Sequence, residues 1–79
     1  MISRKLQFST IDQVQKFVDG VRKISCDVDA RHGNYIVDAK SLLGILSLSL
    51  GKEITIVVHS DDDEAAKALD ALCDEILNL

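Results

Sequence analysis

The sequence predicts an α+β fold, in which a four-stranded antiparallel sheet carries three helices on one face in the order β-α-β-β-α-β-α. Segments with apolar residues at every second position alternate along the chain with segments whose apolar residues recur at helical spacing. A two-residue turn signal joins the second and third strands. Strands with one apolar face need helices on that face alone. With 79 residues, we expect a single domain over residues 1–79.

Composition excludes several classes of function. The chain has a net charge of -4, which argues against direct binding of nucleic acid. No stretch is long and apolar enough for a signal peptide or a membrane span, so we expect a cytoplasmic protein that does not bind membranes. Cys26 and Cys73 fit no zinc or redox motif, and we expect both to be buried, reduced thiols.

The first strand is predicted over residues 2–8, where Arg4 interrupts the apolar face as it would in an edge strand. Thr10 and Gln13 then match a capping box, in which each side chain satisfies a free backbone N–H of the other residue. The helix that follows has its apolar residues at helical spacing, namely Val14, Phe17, Val18 and Val21.

A second strand is predicted over residues 24–30 because apolar and polar residues alternate there. Gly33 and Asn34 predict a two-residue hairpin of type II′, since glycine tolerates a positive φ. The third strand returns through Tyr35, Val37 and Ala39.

The remaining elements are a short helix, a strand and a final helix. Ser41 is the predicted cap of a helix that runs to Leu50 and ends at Gly51. Residues 53–59 form the fourth strand, and Ser60 caps the last helix, whose positive end favours the acidic run at 61–64. The predicted buried stripe of this helix is Ala65, Leu69, Leu72, Cys73 and Ile76.

Residues 39–48, Ala-Lys-Ser-Leu-Leu-Gly-Ile-Leu-Ser-Leu, resemble the regulatory-serine motif of the HPr family. These proteins are the small phosphocarriers of the bacterial phosphoenolpyruvate:sugar phosphotransferase system. The segment 51–56 and the acidic run 61–64 are also similar to the family, and the resemblance runs without a gap from about residue 14 to the C-terminus. It implies the HPr-like open-faced sandwich.

The N-terminal part departs from that family. HPr proteins place a Gly-x-His-x-Arg-Pro segment between the first strand and the first helix, and its histidine carries the phosphoryl group. Counting back from Ser41 puts Thr10 at the histidine, Asp12 at the arginine and Gln13 at the proline, and the loop is shorter. A threonine phosphate is a poor donor, and Asp12 would repel a phosphate. We therefore expect no catalytic residue and no enzymatic activity.

Ser41 is the candidate regulatory phosphosite, because the matching serine of the family is phosphorylated by a protein kinase and signals carbon status. A helix cap also explains this serine. Leu43 and Leu46 lie on a different face of the short helix from Leu42 and Ile45, so one apolar face should be exposed. The family docks its partners on this face. The candidate partner-binding residues are Lys40, Ser41, Leu43 and Leu46. Partial burial or a dimer contact would also explain the two leucines.

Other polar residues have simpler interpretations. His32 and His59 lack the spacing of metal ligands and are expected to be exposed to solvent. The run 61–64 lacks the pattern of a calcium loop, so no metal and no cofactor is expected. Lys16, Arg22 and Lys23 form either a basic face for an acidic partner or scattered solubilising charge.

Three functions remain open from the sequence. The first is a non-catalytic regulator whose protein partner is a phosphotransferase component, an HPr serine kinase or a transcription regulator. The second is a phosphocarrier with an atypical acceptor, namely Thr10, His32 or His59. The third is a structural or dimerisation module. The chain is expected to be a monomer or a weak homodimer.

Overall fold

The computed structural model describes residues 1–48 and 50–78. Within these residues the chain forms four strands and three helices in the predicted order. They are β1 (Ile2–Gln7), α1 (Ile11–Val21), β2 (Val28–His32), β3 (Tyr35–Asp38), α2 (Leu42–Leu48), β4 (Glu53–Val58) and α3 (Asp63–Leu77). The sheet is antiparallel in the order β1-β4-β2-β3, which confirms the predicted fold and makes β1 and β3 its edges.

The core lies between the sheet and the helices. Along β4 the residues Ile54, Ile56 and Val58 are buried at every second position, as expected of a strand with helices on one face. The helices cover this surface with apolar stripes, and α1 contacts both α2 and α3. Arg4 shares the helix-facing side of the edge strand β1, as predicted, and its guanidinium pairs with Asp70 of α3 at 2.7 Å.

The predicted capping box at the start of α1 is confirmed. The hydroxyl of Thr10 accepts a hydrogen bond from the backbone N–H of Gln13 at 3.2 Å, and Oε1 of Gln13 accepts from the N–H of Thr10 at 3.3 Å. The predicted stripe of α1 is buried. Phe8 packs edge-to-face on Phe17, with ring centroids 5.2 Å apart, so the short connection from β1 is anchored in the core.

The second strand was predicted at the wrong place. It begins at Val28 rather than at residue 24 and ends at His32. After α1, the N–H of Lys23 donates to the carbonyl of Gly20 and that of Ile24 to Val21, so residues 22–24 continue as turns. Ile24 lies in this turn and is buried in the core. Its apolar side chain therefore extends the alternating pattern of β2 toward the N-terminus, although the turn is not a strand. The hairpin is confirmed, with Gly33 at a φ of 58° between β2 and β3.

The cap of α3 is Asp62, not Ser60. An oxygen of the Asp62 carboxylate accepts from the N–H of Glu64 at 3.0 Å, whereas the Ser60 hydroxyl accepts from the N–H of Asp62. Both hydrogen bonds lie where the chain enters α3, but Asp62 is the residue at the helix boundary. In the predicted stripe of α3, Leu69, Leu72 and Ile76 are buried, and Ala65 and Cys73 are half-buried.

Other boundaries differ slightly from the prediction. β4 ends at Val58, one residue early. The described part of α2 ends at Leu48, and Leu50 lies in a turn, while residue 49 lies outside the described residues. Gly51 has a φ of 86°, a backbone conformation that glycine adopts without steric cost, and it lies in the turn after α2 rather than directly at the helix end.

We expect Val18→Asp to unfold the domain. Val18 is 0% exposed, and an unpaired carboxylate there costs more than about 4 kcal/mol, a large share of a small domain's stability of about 5–15 kcal/mol. The control is Ile11→Asp on the same helix, where the side chain is 62% exposed and the helix dipole favours acid. The urea concentration at the unfolding midpoint should fall for Val18→Asp and not for Ile11→Asp. A Val18→Asp chain with unchanged stability would contradict the assignment of Val18 to the core.

Candidate functional site

Ser41 lies at the N-terminus of α2 and is held there by local hydrogen bonds. Its hydroxyl accepts from the N–H of Gly44 at 3.1 Å, and its own N–H donates to the carbonyl of Asp38 at 3.0 Å. The N–H of Ile45 donates to the Ser41 carbonyl at 3.0 Å. The serine therefore caps α2, and its half-buried hydroxyl is fixed at the helix end.

Gly44 permits this arrangement. A Cβ at position 44 would lie 3.3 Å from Cβ and Oγ of Ser41 and 3.3 Å from Cβ of Val37 on β3. A larger residue would therefore press on the serine and on the strand together. The glycine of the motif keeps the first turn of α2 close to the sheet edge.

One cationic side chain lies beside the peptide that joins Lys40 to Ser41. Nε of Arg22 donates to the carbonyl of Lys40 at 3.0 Å. Nζ of Lys40 donates to the carbonyl of Ile24 at 2.6 Å, while its backbone N–H donates to a carboxylate oxygen of Asp38. The turn before α2 therefore holds both a cation, Arg22, and the carboxylate of Asp38.

The exposed residues of α2 are Leu43 and Ser47. Leu43 is 79% exposed, while Ile45 is buried and Leu42 is half-buried against the core. The expected exposure of an apolar face holds for Leu43 alone, because Leu46 is half-buried against the same core. We call the residues Lys40, Ser41, Leu43 and Leu46 the α2 face.

Sequence reasoning missed Ile11 and Leu50, which are also exposed apolar residues. The turn after α2 is tied to the connection before α1, because the N–H of Gly51 donates to the carbonyl of Phe8 at 2.8 Å and the Gln7 amide donates to the carbonyl of Gly51. Leu50 and Ile11 therefore flank one junction. The available signal was Ile11 itself, an apolar residue at the first helical position and outside the apolar stripe.

Thr10, which the sequence predicts at the position of the family's histidine, caps α1. Its hydroxyl binds the N–H of Gln13, and Oε1 of Gln13 in turn binds the N–H groups of Ser9 and Thr10. Two of the four N–H groups that begin this helix, those of Thr10 and Gln13, are therefore bonded within the chain. Asp12 adds a negative charge in the first turn. This helix end is poorly suited to hold a phosphoryl group.

His59 is exposed, as predicted, and His32 is partly exposed, but each has a hydrogen-bond partner within the chain. Nε2 of His59 lies 2.6 Å from a carboxylate oxygen of Asp29, and the guanidinium of Arg31 reaches the same oxygen at 3.2 Å. Nδ1 of His32 lies 3.2 Å from the carbonyl of Glu53. The hydrogen bond with His59 lowers the pKa of Asp29 below its ordinary value of 3.8, and Arg31 lowers it further, against the opposing effect of burial.

Basic residues of the N-terminal third are mostly engaged with acids. Nζ of Lys16 lies 2.8 Å from a Glu75 oxygen, and Lys5 lies 3.8 Å from Glu53. These pairs favour scattered charge over an open basic face on α1. Among the described residues, no group of three or more His, Cys, Asp or Glu side chains is arranged to hold a metal ion.

The cysteines are free thiols, but each is half-buried rather than fully buried as predicted. Burial raises the pKa of the Cys73 thiol, and the carboxylates of Asp70 and Asp74 raise it further. Within residues 1–48 and 50–78, no helix has the length and hydropathy needed to cross a bilayer.

Comparison with known proteins supports the resemblance seen in the sequence. Residues 12–78 match a family model described as the PTS HPr component phosphorylation site. The match covers most of the chain and includes the α2 face. It begins at Asp12, two residues after Thr10.

Solved structures of this family share the fold. HPr-C-His of Thermoanaerobacter tengcongensis superposes with a TM-score of 0.77 at 26% identity, over 100% of this chain and 98% of its own. The phosphocarrier protein HPr of Bacillus anthracis gives 0.71 at 28% identity, over 92% and 93%. The catabolite repression protein Crh of Bacillus subtilis gives 0.66 at 28% identity, over 96% and 90%, and is described as a swapped, intertwined dimer.

We expect the contribution of Asp29 to stability to depend on pH. Because its folded-state pKa is lowered, its contribution is complete above the unfolded value, about 3.9, and is lost as the pH falls through the folded value. Asp29→Asn should cost about 0.5–1 kcal/mol above about pH 5, since solvent screens the pair, and progressively less as the pH falls below the unfolded-state pKa.

Urea unfolding across this pH range measures the difference. The control is Asp27→Asn, because Asp27 is exposed and forms no ion pair within the described residues. A cost for Asp29→Asn that stays constant with pH would show that ionisation of the Asp29 carboxyl is not its source.

Proposed function

The chain belongs to the HPr family of the phosphotransferase system, and from this premise we propose that it is a regulatory, partner-binding member rather than a phosphocarrier. The observation that carries the proposal is the start of α1, where Thr10, the residue that sequence counting predicts at the position of the family's histidine, is used as a helix cap. The proposed regulatory element is the α2 face with Ser41.

Phosphocarrier chemistry needs a group that accepts and releases phosphate readily. An imidazole nitrogen does both, whereas the hydroxyl of Thr10 would form a stable ester. That hydroxyl also bonds the N–H of Gln13, and a phosphate there would meet the charge of Asp12. His32 and His59 lie on the sheet and beside it, and each has a partner within the chain. Neither replaces the missing acceptor.

Regulation through Ser41 is supported by its surroundings. A phosphate on its hydroxyl would lie at the N-terminal end of α2, where the helix dipole favours negative charge, and the guanidinium of Arg22 lies at the preceding peptide. Adding charge there would be favourable rather than disruptive, so the modification need not unfold the helix. It would instead change the charge of the surface beside Leu43, whose exposed side chain is available for contact with a partner.

The proposed partners are proteins: an HPr serine kinase, phosphotransferase components and a transcription regulator of carbon catabolite control. Leu43 supplies apolar contact area, and the charge state of Ser41 would select among partners. Cys26 and Cys73 remain free thiols, which suits the reducing cytoplasm of a bacterium. No enzymatic activity is assigned to the chain itself.

Self-association is a second candidate, because a related structure, Crh of Bacillus subtilis, is described as an intertwined dimer. Here β1 is an edge strand that pairs with β4 alone. A chain that remained monomeric in sedimentation at high concentration would count against a dimerisation module.

Phosphorylation distinguishes the regulator from the carrier. We expect HPr serine kinase with ATP to add one phosphoryl group, and enzyme I with phosphoenolpyruvate to add none, as read by intact mass. Ser41→Ala should abolish the gain, while Ser47→Ala on the same helix should keep it, because Ser47 only donates to the carbonyl of Gly44.

Circular dichroism should show that Ser41→Ala remains folded, since loss of a cap costs about 1 kcal/mol. A phosphoryl group acquired from enzyme I would overturn the proposal and restore a phosphocarrier. A gain that survives Ser41→Ala would place the modification elsewhere.

Docking on α2 makes a separate prediction. Leu43→Asp should raise the KM of the kinase reaction at least about tenfold, because the side chain is 79% exposed and a charge would oppose apolar contact. Its unfolding free energy should change by less than about 0.5 kcal/mol.

The matched control is Leu77→Asp, a 69% exposed leucine on α3 that should leave the KM unchanged. Unfolding of Leu43→Asp would show that Leu43 belongs to the core. Equal KM values for both variants would show that α2 is not the docking face.

A further inference from the structure

A groove of about 480 Å³ lies between α3 and the connection from α1 to β2. Small or apolar side chains line one part of it, namely Ile24, Cys26, Ala65, Ala68, Ala71 and Leu72, and polar residues line about as much of the surface. We call it the α1–α3 groove.

Close packing of two helices sets the groove's inner wall. A Cβ on Gly20 would lie 2.5 Å from Cδ1 of Leu72, so the glycine lets α3 approach the backbone of α1 at this point. Beyond this contact, alanines at 65, 68 and 71 of α3 leave the groove without large side chains. A helix can approach such a surface closely, because interaxial distance depends on side-chain size at the contact.

The rim of the groove is acidic. Asp62, Glu64 and Glu75 line it beside one cation, Lys23. Glu75 is paired with Lys16 at 2.8 Å, but Glu64 forms no ion pair within the described residues. The charge continues along α3, since residues 61–75 hold seven acidic residues and one lysine, although the whole chain has a net charge of only -4.

We propose that the α1–α3 groove binds a basic amphipathic helix of a partner protein. The apolar surface of the groove would take the apolar side of that helix, and Asp62 and Glu64 would face its lysines or arginines. A symmetric contact with the same groove of a second copy is disfavoured, because it would bring another acidic α3 against this one.

This site goes beyond the proposed function. None of the residues of the α2 face lines the groove, and the two surfaces differ in charge, with Arg22 and Lys40 at one and Asp62 and Glu64 at the other. One domain can therefore hold two partners at once. Binding at the groove does not require phosphorylation of Ser41, so either proposal can fail while the other stands.

The test uses the full ¹⁵N-labelled chain and a synthetic peptide of about 18 residues, in which leucines recur at helical spacing among lysines. We expect amide shifts concentrated at Gly20, Cys26, Ala65 and Ala68. The matched peptide with glutamates in place of lysines should produce none. The basic peptide should also slow alkylation of Cys26, while the thiol of Cys73, which does not line the groove, should be unaffected.

Two matched variants distinguish specific binding at the groove from general electrostatic attraction to the acidic helix α3. Glu64→Lys should weaken binding about tenfold, whereas Asp74→Lys, the same charge change on α3 outside the groove, should weaken it less than about twofold. Equal losses would reduce the site to non-specific attraction and overturn the proposal. Shifts centred on α2, or none at the groove at about 1 mM peptide, would overturn it as well.

Discussion

Burial of one face of β4 is the constraint on which the rest of the structure depends. This strand lies between β1 and β2, and Ile54, Ile56 and Val58 direct its buried side toward the helices. A chain of 79 residues buries only about 60% of its unfolded surface, so it has little apolar area to spare. The three helices must share this single face. The short α2 can bury only part of its apolar surface there, which is why Leu43 remains exposed.

The same constraint explains what the sequence could predict. Burial on one face of a strand or helix produces a periodic pattern of apolar residues in the sequence. The order of the seven elements and the buried stripe of α1 could therefore be predicted correctly. The capping box at Thr10 was predictable because both partners are local. Residues 24–27 were misassigned because a turn that buries Ile24 gives the same alternation as a strand.

Contacts between distant residues were not predictable. The bond between His59 and Asp29 joins residues thirty apart, and no local pattern marks it. The α1–α3 groove exists because Gly20 meets Leu72, a contact set by how two helices lie on one sheet. That Ser41 caps a helix could be predicted from the sequence. The position of Arg22 could not, because this residue follows α1 and reaches the carbonyl of Lys40 from there.

The start of α1 shows how local capping sets the properties of a helix end. The first N–H groups of a helix have no partner within the helix, so they bind an anion, water or a capping side chain. Here Oε1 of Gln13 bonds the N–H groups of Ser9 and Thr10, the Thr10 hydroxyl bonds that of Gln13, and Phe8 is buried against Phe17. The capping box and the core contact therefore fix the start of α1 together. Under the proposed regulatory function, the α2 face lies on another element. The residues at the start of α1 can then differ from the phosphocarrier pattern without altering the surface proposed to bind partners.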